Sequence, residues 1–305
     1  MKKISSFIEE GQWYKGNTHL HTTVSDGLMI PEQAVDRYRD AGYSFLAVTD
    51  HWKYGIYSDL QTDDFIMFGG VELDRPLTGT LGFCHHVTFM AVPEETSIGH
   101  GQDLTETFNK MDMQKIIDYM ASNGHIAIYA HPRWSHVKME EFDNIQGCIG
   151  LEIYNNICEI DVGCGESISY YERCLWQNKK TFCFASDDAH GEEHYLGGYI
   201  VVKAKSLTHE NIMDSIKKGS FYASDCGPEI SDFYIEDGIA HIDCSPCASI
   251  AFYSDGSPGI NNTAEKALLS QASWNTTKSW RPSNYVYAVC TDAKGHRSWT
   301  QPIRL

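Results

Sequence analysis

The sequence lacks the features that mark exported and membrane-inserted proteins. None of its apolar runs is long enough to span a bilayer. Residues 1–7 are followed so soon by Glu9 and Glu10 that no secretory apolar segment forms. The ten cysteines are scattered without a regular framework. We therefore expect reduced thiols in a cytoplasmic protein.

Positive charge is also scarce. The 305 residues include 24 Lys and Arg against 41 Asp and Glu, which gives a formal net charge of -17. Such a surface repels polynucleotides, and the chain has no Walker-type or dinucleotide-binding loop. We therefore expect neither a nucleic acid polymer nor a membrane as partner. A small anionic substrate remains compatible if bound cations invert the local field. The oligomeric state is left open.

The pattern of apolar residues divides the chain into two parts. From about residue 16 to 225, short apolar runs alternate with amphipathic segments, which is typical of an α/β protein. Predicted strands cover 45–48, 69–73, 87–92, 125–129, 150–154 and 181–185, and predicted helices cover 31–41, 112–123, 166–177 and 209–218. Beyond residue 228, strand-like pieces separated by turns predict a small antiparallel β-sandwich over 229–305. Its Trp274, Trp280 and Trp299 are expected in its core.

Metal-binding side chains recur where predicted strands end. The series consists of His19, His21, Asp26, His51, Glu72, His86, His131, Asp188 and His190. The C-terminal ends of parallel strands are where α/β folds assemble their sites. Residues two apart in an extended chain point the same way, so His19 with His21 can face one pocket. Imidazole combined with carboxylate suits zinc, manganese or iron, and not calcium.

Three local details carry separate expectations. Pro132 favours an extended backbone at His131. Glu152 and Asn155 should face opposite ways on one strand, so at most one should reach the site. Asp50 and Asp187, which adjoin predicted ligands, are expected to orient those ligands without binding metal themselves.

The neighbouring histidines at 85 and 86 present an ambiguity, because adjacent strand residues face opposite sides of a sheet. His86 is the favoured ligand, since the apolar run that begins at Val87 follows it directly.

Taken in order, these motifs resemble those of the polymerase-and-histidinol-phosphatase (PHP) superfamily. The matching set is His-x-His, Thr-Asp-His, Gly-x-Glu, a histidine, His-Pro and Asp-x-His, over residues 17–190. Residues 218–224 and 298–303 resemble the carbaryl-hydrolase-like (CehA/McbA) branch, which couples a PHP barrel to a C-terminal β domain. The resemblance implies a distorted (β/α)7 barrel over residues 1–228, with metals at its C-terminal mouth, followed by the β-sandwich over 229–305.

The resemblance also implies two or three divalent metal ions and a division of the ligands among them. The first ion would be held by His19, His21 and Asp188, with Glu72 bridging to a second ion completed by His86 and His131. The third would be held by Asp26, His51 and His190. Some relatives have histidine where this chain has Asp26, so the presence of the third ion is left open.

Such ions favour hydrolysis, because a coordinated water can become hydroxide near neutral pH. The main hypothesis is a phosphoesterase acting on a small phosphorylated molecule. Arg133 would clamp the phosphate or instead pair with a surface acid, and His51 or His190 would protonate the leaving oxygen. The alternatives are hydrolysis of a carbamate, amide or ester bond, and a non-catalytic module that binds metal or a partner.

A Cys-x-x-Cys sequence at 244–247 has the spacing of a redox motif. It lies in the β-rich part of the chain, without the strand-to-helix context that lowers a thiol pKa. A redox function is therefore the less favoured interpretation.

Overall fold

The computed structural model describes residues 3–8, 10–77, 83–257 and 259–305. The helices are α1 (Pro31–Asp40), α2 (Thr105–Phe108), α3 (Met113–Ser122), α4 (Met139–Asn144), α5 (Asn156–Val162), α6 (Ile168–Trp176) and α7 (His209–Lys218). Three short 3-10 turns cover Ser58–Leu60, Glu192–His194 and Thr276–Lys278.

The strands of the first part are β1 (Ile4–Ser5), β2 (Gln12–Asn17), β3 (Phe45–Ala47), β4 (Ile66–Phe68), β5 (Gly70–Pro76), β6 (Cys84–Ala91), β7 (His125–Tyr129), β8 (Cys148–Asn155), β9 (Phe182–Ser186), β10 (Tyr199–Ala204) and β11 (Phe221–Ser224). Those of the second part are β12 (Ile230–Glu236), β13 (Ile239–Cys247), β14 (Ser249–Ser254), β15 (Ile260–Thr263), β16 (Leu269–Asn275), β17 (Tyr285–Thr291), β18 (Arg297–Thr300) and β19 (Ile303–Arg304).

The predicted mixed α/β body is confirmed, and local sequence signals account for the bounds of its elements. Helix α7 shows why: the Thr208 side chain caps its first turn by accepting a hydrogen bond from the Asn211 amide. Gly219 ends the helix in the left-handed conformation at φ 78°. Strands β3, β7 and β9 are buried throughout, so they read as continuous apolar runs without alternation.

Two sheets form the body that carries the predicted ligands. One places β10, β2, β3 and β4 side by side, with β2, β3 and β4 parallel. The other has the order β5-β6-β7-β8-β9. Isolated bridges between Leu20 and Ala189 and between His51 and Glu72 connect the two sheets at the level of the ligands.

The expectation that all the ligand-bearing strands are parallel is wrong for β6. This strand pairs antiparallel with both β5 and β7. Its first residues therefore lie beside the last residues of its neighbours, as the pairing of His86 with Asp74 shows. A ligand near the start of an antiparallel strand thus reaches the same edge as ligands at the ends of parallel strands.

The second part of the chain forms two facing antiparallel layers. One layer is the sheet β1-β12-β13-β16, and the other consists of β15, β14, β17 and β18 with β19. Apolar side chains such as Phe233, Ile242 and Phe252 fill the space between them.

The second layer continues the sheet of the body, because β18 pairs with β11. In addition, β1 from the start of the chain pairs with β12. The boundary between residues 228 and 229 stays a prediction, and hydrogen bonds of one continuous sheet cross it.

The tryptophans of the second part differ in their burial. Trp299 is buried, and Trp274 packs partly buried against the core between the layers. For Trp280 the core expectation is wrong, because 84% of this residue is exposed. It lies in the connection between β16 and β17, where no facing layer covers it.

All ten cysteines are free thiols. Among the described residues, no helix combines the length and the apolar character needed to cross a membrane.

Candidate metal centre

Four buried donor atoms meet at one point. His19 Nε2 lies 3.1 Å from His21 Nε2, and both nitrogens lie 3.0–3.2 Å from Glu72 Oε2 and from Asp188 Oδ1. Donor atoms about 2.1 Å from one metal ion lie roughly 3.0–3.4 Å from one another in octahedral or tetrahedral coordination. The spacing of these four atoms therefore fits a divalent ion.

The chemistry of the donors supports the same fit. Within the described part of the chain, the buried Asp188 Oδ1 has no hydrogen-bond partner, and neither has His51 Nδ1. A buried polar atom without a partner costs free energy unless something else satisfies it. Imidazole nitrogens and carboxylate oxygens in this arrangement would be satisfied by a divalent cation.

A second group of donors surrounds the other oxygen of the Glu72 carboxylate. His86 Nδ1 lies 2.9 Å from Glu72 Oε1, and His131 Nε2 lies 3.5 Å from the same oxygen. His131 Nε2 is also 3.5 Å from Asp188 Oδ2. Glu72 thus faces donors on both of its oxygens, as a bridging carboxylate must.

The structure separates the two neighbouring histidines of β6. His86 faces Glu72, whereas His85 Nδ1 lies 2.5 Å from the hydroxyl oxygen of Tyr129. Alternation along a strand therefore sends His86 to the donor cluster and His85 to the other face.

The third predicted group lies closer to solvent. Asp26 Oδ2 is 3.4 Å from His190 Nε2 and 3.8 Å from His51 Nε2. The Asp26 side chain is 54% exposed, and those of His51 and His190 are 25% and 24% exposed. His51 also connects this group to the centre, since its Nδ1 is 3.3 Å from Glu72 Oε2. All nine residues predicted as ligands therefore lie in one connected cluster.

The cluster opens into a cavity of about 170 Å³. Its lining includes seven of the predicted ligands together with four residues that the sequence analysis did not single out, namely Trp134, Ile157, Cys158 and Asp161. Trp134 packs edge-on against the rings of His86 and His131. No sequence motif marks these four residues, because only the fold brings α5 and the 131–137 turn to the ligands.

Arg133 is not among the residues that line this cavity. Its side chain is exposed, and Nη1 donates to the carbonyl oxygen of Glu166 at 3.4 Å. The structure therefore does not bring its guanidinium to the donor cluster.

The backbone at two predicted ligands is strained. His131 has φ 25° and Asp188 has φ 52°. The expectation of an extended backbone at His131 is wrong, because its amide donates to Glu152 Oε2 at 3.0 Å and its Nδ1 lies 3.1 Å from Ser135 Oγ. These contacts hold a conformation that non-glycine residues rarely adopt and that is found preferentially at functional sites.

Glu152 and Asn155 both reach the cluster, so the expectation that at most one does is wrong. The pairing of β8 with β9 shifts register between Glu152 and Tyr154. This irregularity breaks the alternation of side chains, so residues three apart come to the same side. Asn155 Nδ2 donates to Glu152 Oε2 at 2.8 Å and to Asp188 Oδ2 at 3.1 Å.

Glu152 also orients one of the central histidines. His19 Nδ1 donates to Glu152 Oε1 at 2.7 Å, which leaves the Nε2 lone pair facing the donor cluster. Glu152 is fully buried and accepts a further hydrogen bond from the Ser186 hydroxyl.

Asp50 and Asp187 lie beside the cluster and accept hydrogen bonds from backbone amides. Asp50 accepts hydrogen bonds from the amide and hydroxyl of Thr22. Asp187 accepts from the Tyr38 hydroxyl and from the amides of Gly197 and Gly198. Asp50 thus holds the residue after His21. Asp187 also accepts a hydrogen bond from the Asn17 side chain, whose Oδ1 accepts from the amide of His19.

The charges in the cluster perturb one another strongly. Burial disfavours the protonated form of His21, but its contacts with Asp188 and Glu72 prevail and raise its pKa to about 9. Burial also disfavours the protonated form of His86, but its contacts with Cys84 and Glu72 prevail and raise its pKa to about 10. Burial by itself would raise the pKa values of Glu72 and Asp188, but the surrounding histidines lower both. The metal-free cluster therefore keeps protons on His21 and His86 and negative charge on Glu72 and Asp188.

Comparison with known proteins relates this geometry to a known fold. No family model matches the chain. An alignment over 145 positions, which covers 41% of the chain and 24% of the relative, is 28% identical to the DNA polymerase/3'-5' exonuclease PolX of Bacillus subtilis. The chain thus matches about a quarter of the length of this curated relative.

Two solved structures are similar to this chain over most of its length. A two-domain protein from Bacteroides vulgatus, described as containing a predicted PHP-like metal-dependent phosphoesterase, superposes with a TM-score of 0.54 over 97% of each chain at 13% identity. An amidohydrolase from Chromobacterium violaceum reaches a TM-score of 0.41 at 12% identity over 68% of this chain and 96% of its own, which is too low to support an argument. The first similarity shows a shared fold that includes the C-terminal part.

Proposed function

We propose that this protein is a metal-dependent hydrolase of PHP type, a phosphoesterase that acts on a small phosphorylated molecule. The observation that carries the proposal is the convergence of nine histidine and carboxylate side chains in one cluster around Glu72, seven of which line the same cavity. The fold shared with the Bacteroides vulgatus protein supports the same superfamily. A distorted (β/α)7 barrel, a boundary after residue 228, membership of the carbaryl-hydrolase-like branch and a cytoplasmic location are the finer parts of the proposal.

The proposal includes two or three divalent ions, of zinc, manganese or iron. His19, His21 and Asp188 would hold the first ion, and His86 and His131 the second, with Glu72 between them. Asp26, His51 and His190 would hold the third. When bound, such ions polarise phosphoryl oxygens and lower the pKa of coordinated water from about 15.7 toward 7.

The residues of the chain itself would exclude water and handle protons. Trp134 and Ile157 form walls of the cavity, which limits it to a small reacting group. His51 and His190 are the histidines of the third group, and each keeps about a quarter of its side chain exposed. Either can deliver a proton to a leaving oxygen if metal does not occupy its nitrogen. The role of Arg133 as a phosphate clamp stays a prediction that requires its side chain to move.

The test is a substrate panel with metal-loaded protein. Reconstitution with Mn²⁺, Zn²⁺ or Fe²⁺ should give turnover of p-nitrophenyl phosphate or of a p-nitrophenyl phosphodiester that exceeds turnover of the acetate and carbamate analogues. Preference for acetate or carbamate would replace the phosphoesterase by a hydrolase of carbonyl compounds. If elemental analysis found less than one metal ion per chain and no substrate were turned over, the protein would instead be a non-catalytic binding module.

A further inference from the structure

A second cluster of metal-binding side chains lies outside the site described above. Cys244, Cys247 and Cys290 place their sulfur atoms within 4.8 Å of one another, and all three are buried. The sulfur atoms of Cys244 and Cys247 are 3.7 Å apart. Sulfurs about 2.3 Å from a tetrahedral ion lie about 3.8 Å apart, so this pair has the spacing of two thiolates on one ion.

The three thiols come from both layers of the C-terminal sandwich. Cys244 and Cys247 lie on β13 in the four-stranded sheet. Cys290 lies on β17 in the facing layer, where it pairs with Ile250 of β14. A group bound by all three sulfurs would therefore tie the two sheets together through their core.

The backbone of β13 is distorted at this place. Residues three apart in a regular strand face opposite sides, yet Cys244 and Cys247 are both buried in the same core. The pairing of β13 with β16 shifts register between Asp243 and Cys247. This irregularity removes ladder hydrogen bonds and turns both sulfurs inward.

We propose that Cys244, Cys247 and Cys290 form a structural binding site for a thiophilic divalent ion, with zinc as the favoured occupant. Three thiolates around a divalent ion leave a net charge of one, whereas three around Cu⁺ leave two, and a buried site disfavours the larger charge. The carbonyl oxygen of Ser249 lies 3.5 Å from Cys247 Sγ and can serve as the fourth donor. Binding would release the three thiol protons to solvent.

The experiment uses the full chain, reduced and freed of metal, with Cd²⁺ as the spectroscopic probe for zinc. One equivalent bound at the thiols should produce the ultraviolet sulfur-to-cadmium charge-transfer band. The band should be lost in Cys290→Ala and in Cys244→Ala. It should persist in Cys183→Ala, a buried thiol of the other core, and in Cys158→Ala, the thiol that lines the metal centre.

A second measurement needs no variant and guards against misfolding. In a time-resolved thiol titration of the folded wild type, bound Cd²⁺ or Zn²⁺ should slow the reaction of three of the ten cysteines relative to the metal-free protein. A large excess of Zn²⁺ over Cd²⁺ should suppress the band, as expected if both ions share one site, and an unchanged band would overturn zinc as the occupant. Absence of the band in the wild type, its loss only in Cys158→Ala, or a disulfide between Cys244 and Cys247 in the isolated protein would overturn the site.

Discussion

Glu152 and His19 form a fully buried pair in which His19 Nδ1 donates to Glu152 Oε1 at 2.7 Å. The same carboxylate accepts the amide of His131 through its other oxygen. One side chain on β8 thus positions two histidines that come from distant parts of the chain. The pKa of Glu152 is lowered, because the charge and hydrogen bond of His19 outweigh its burial. It therefore stays an acceptor at neutral pH.

Replacing Glu152 should weaken metal binding without removing any predicted ligand. We expect Glu152→Ala to lower metal affinity by roughly 10–100-fold, because a ligand histidine loses the partner that holds its tautomer and orientation. Calorimetric titration with Zn²⁺ or Mn²⁺ measures this change. Glu140→Ala, on the exposed face of α4, is the control and should leave the affinity unchanged. Equal affinities in the two variants would contradict the orienting role.

The two histidines of β6 provide a matched pair. His86→Ala should reduce metal content and turnover together, by more than the roughly 10–100-fold expected for loss of an orienting partner. His85→Ala removes a neighbouring imidazole of the same strand, whose Nδ1 lies 2.5 Å from the Tyr129 hydroxyl oxygen on the other face of the sheet, and it should retain both metal and activity. A larger loss in His85→Ala than in His86→Ala would reverse the choice of ligand.

Metal affinity should rise with pH, because ions compete with protons on the central histidines. The pKa values of about 9 for His21 and about 10 for His86 mean that both are protonated in the metal-free protein at pH 7. Each displaced proton makes affinity change by up to about tenfold per pH unit below those values. Calorimetry at pH 7 in buffers of different ionisation enthalpy should detect proton release. Binding without release would show that these histidines do not take part.

The same shifts predict an opposite trend for the stability of the metal-free protein. A histidine whose folded pKa lies above its unfolded value of about 6.5 stabilises the fold fully below that pH. This contribution declines as pH rises through the folded pKa. The free energy of unfolding of the chelated protein should therefore fall between about pH 6.5 and 10, as urea titrations would show. A rise over this interval would argue against the charged pairs of His21 and His86.

For Arg133, the predicted role as a phosphate clamp and the observed position of the side chain disagree. With its guanidinium at the Glu166 carbonyl and outside the cavity lining, Arg133→Ala should change kcat/KM for a phosphoester by less than about threefold, a size typical of exposed interactions. Steady-state kinetics of the wild type and of Arg133→Ala, with the preferred substrate of the panel, measures this change. A rise in KM of tenfold or more would instead support the phosphate clamp.

Close packing around Asp187 predicts a strong effect of one methyl group. A Cβ at Gly198 would lie 2.2 Å from the carbonyl oxygen of Ser186, whereas a Cβ at Gly99 meets nothing within 4 Å. Gly198→Ala should therefore destabilise the fold by about 1–3 kcal/mol or more, and it should loosen the amide that binds Asp187. Gly99→Ala is the matched control. Denaturant unfolding of both variants gives the comparison, and similar stabilities would contradict the packing described here.

The sequence by itself determined the kinds of ligands, their order and most of the elements that carry them. Helix α7 illustrates this, because its predicted bounds of 209–218 are confirmed and its cap at Thr208 and stop at Gly219 are local signals. Strand β7 matches its predicted bounds for the same reason, since a short apolar run between turn signals is a local property.

Only the tertiary structure decided which side chains share a face and which ones meet. Register shifts in β8 and β13 bring Glu152 to Asn155 and Cys244 to Cys247, against the simple alternation of a strand. The pairing of β6 with β7 and that of β18 with β11 depend on strands that other elements separate in the sequence. Alternation can be read from neighbouring residues, whereas register and strand direction arise from pairing with distant segments, and no local pattern encodes them.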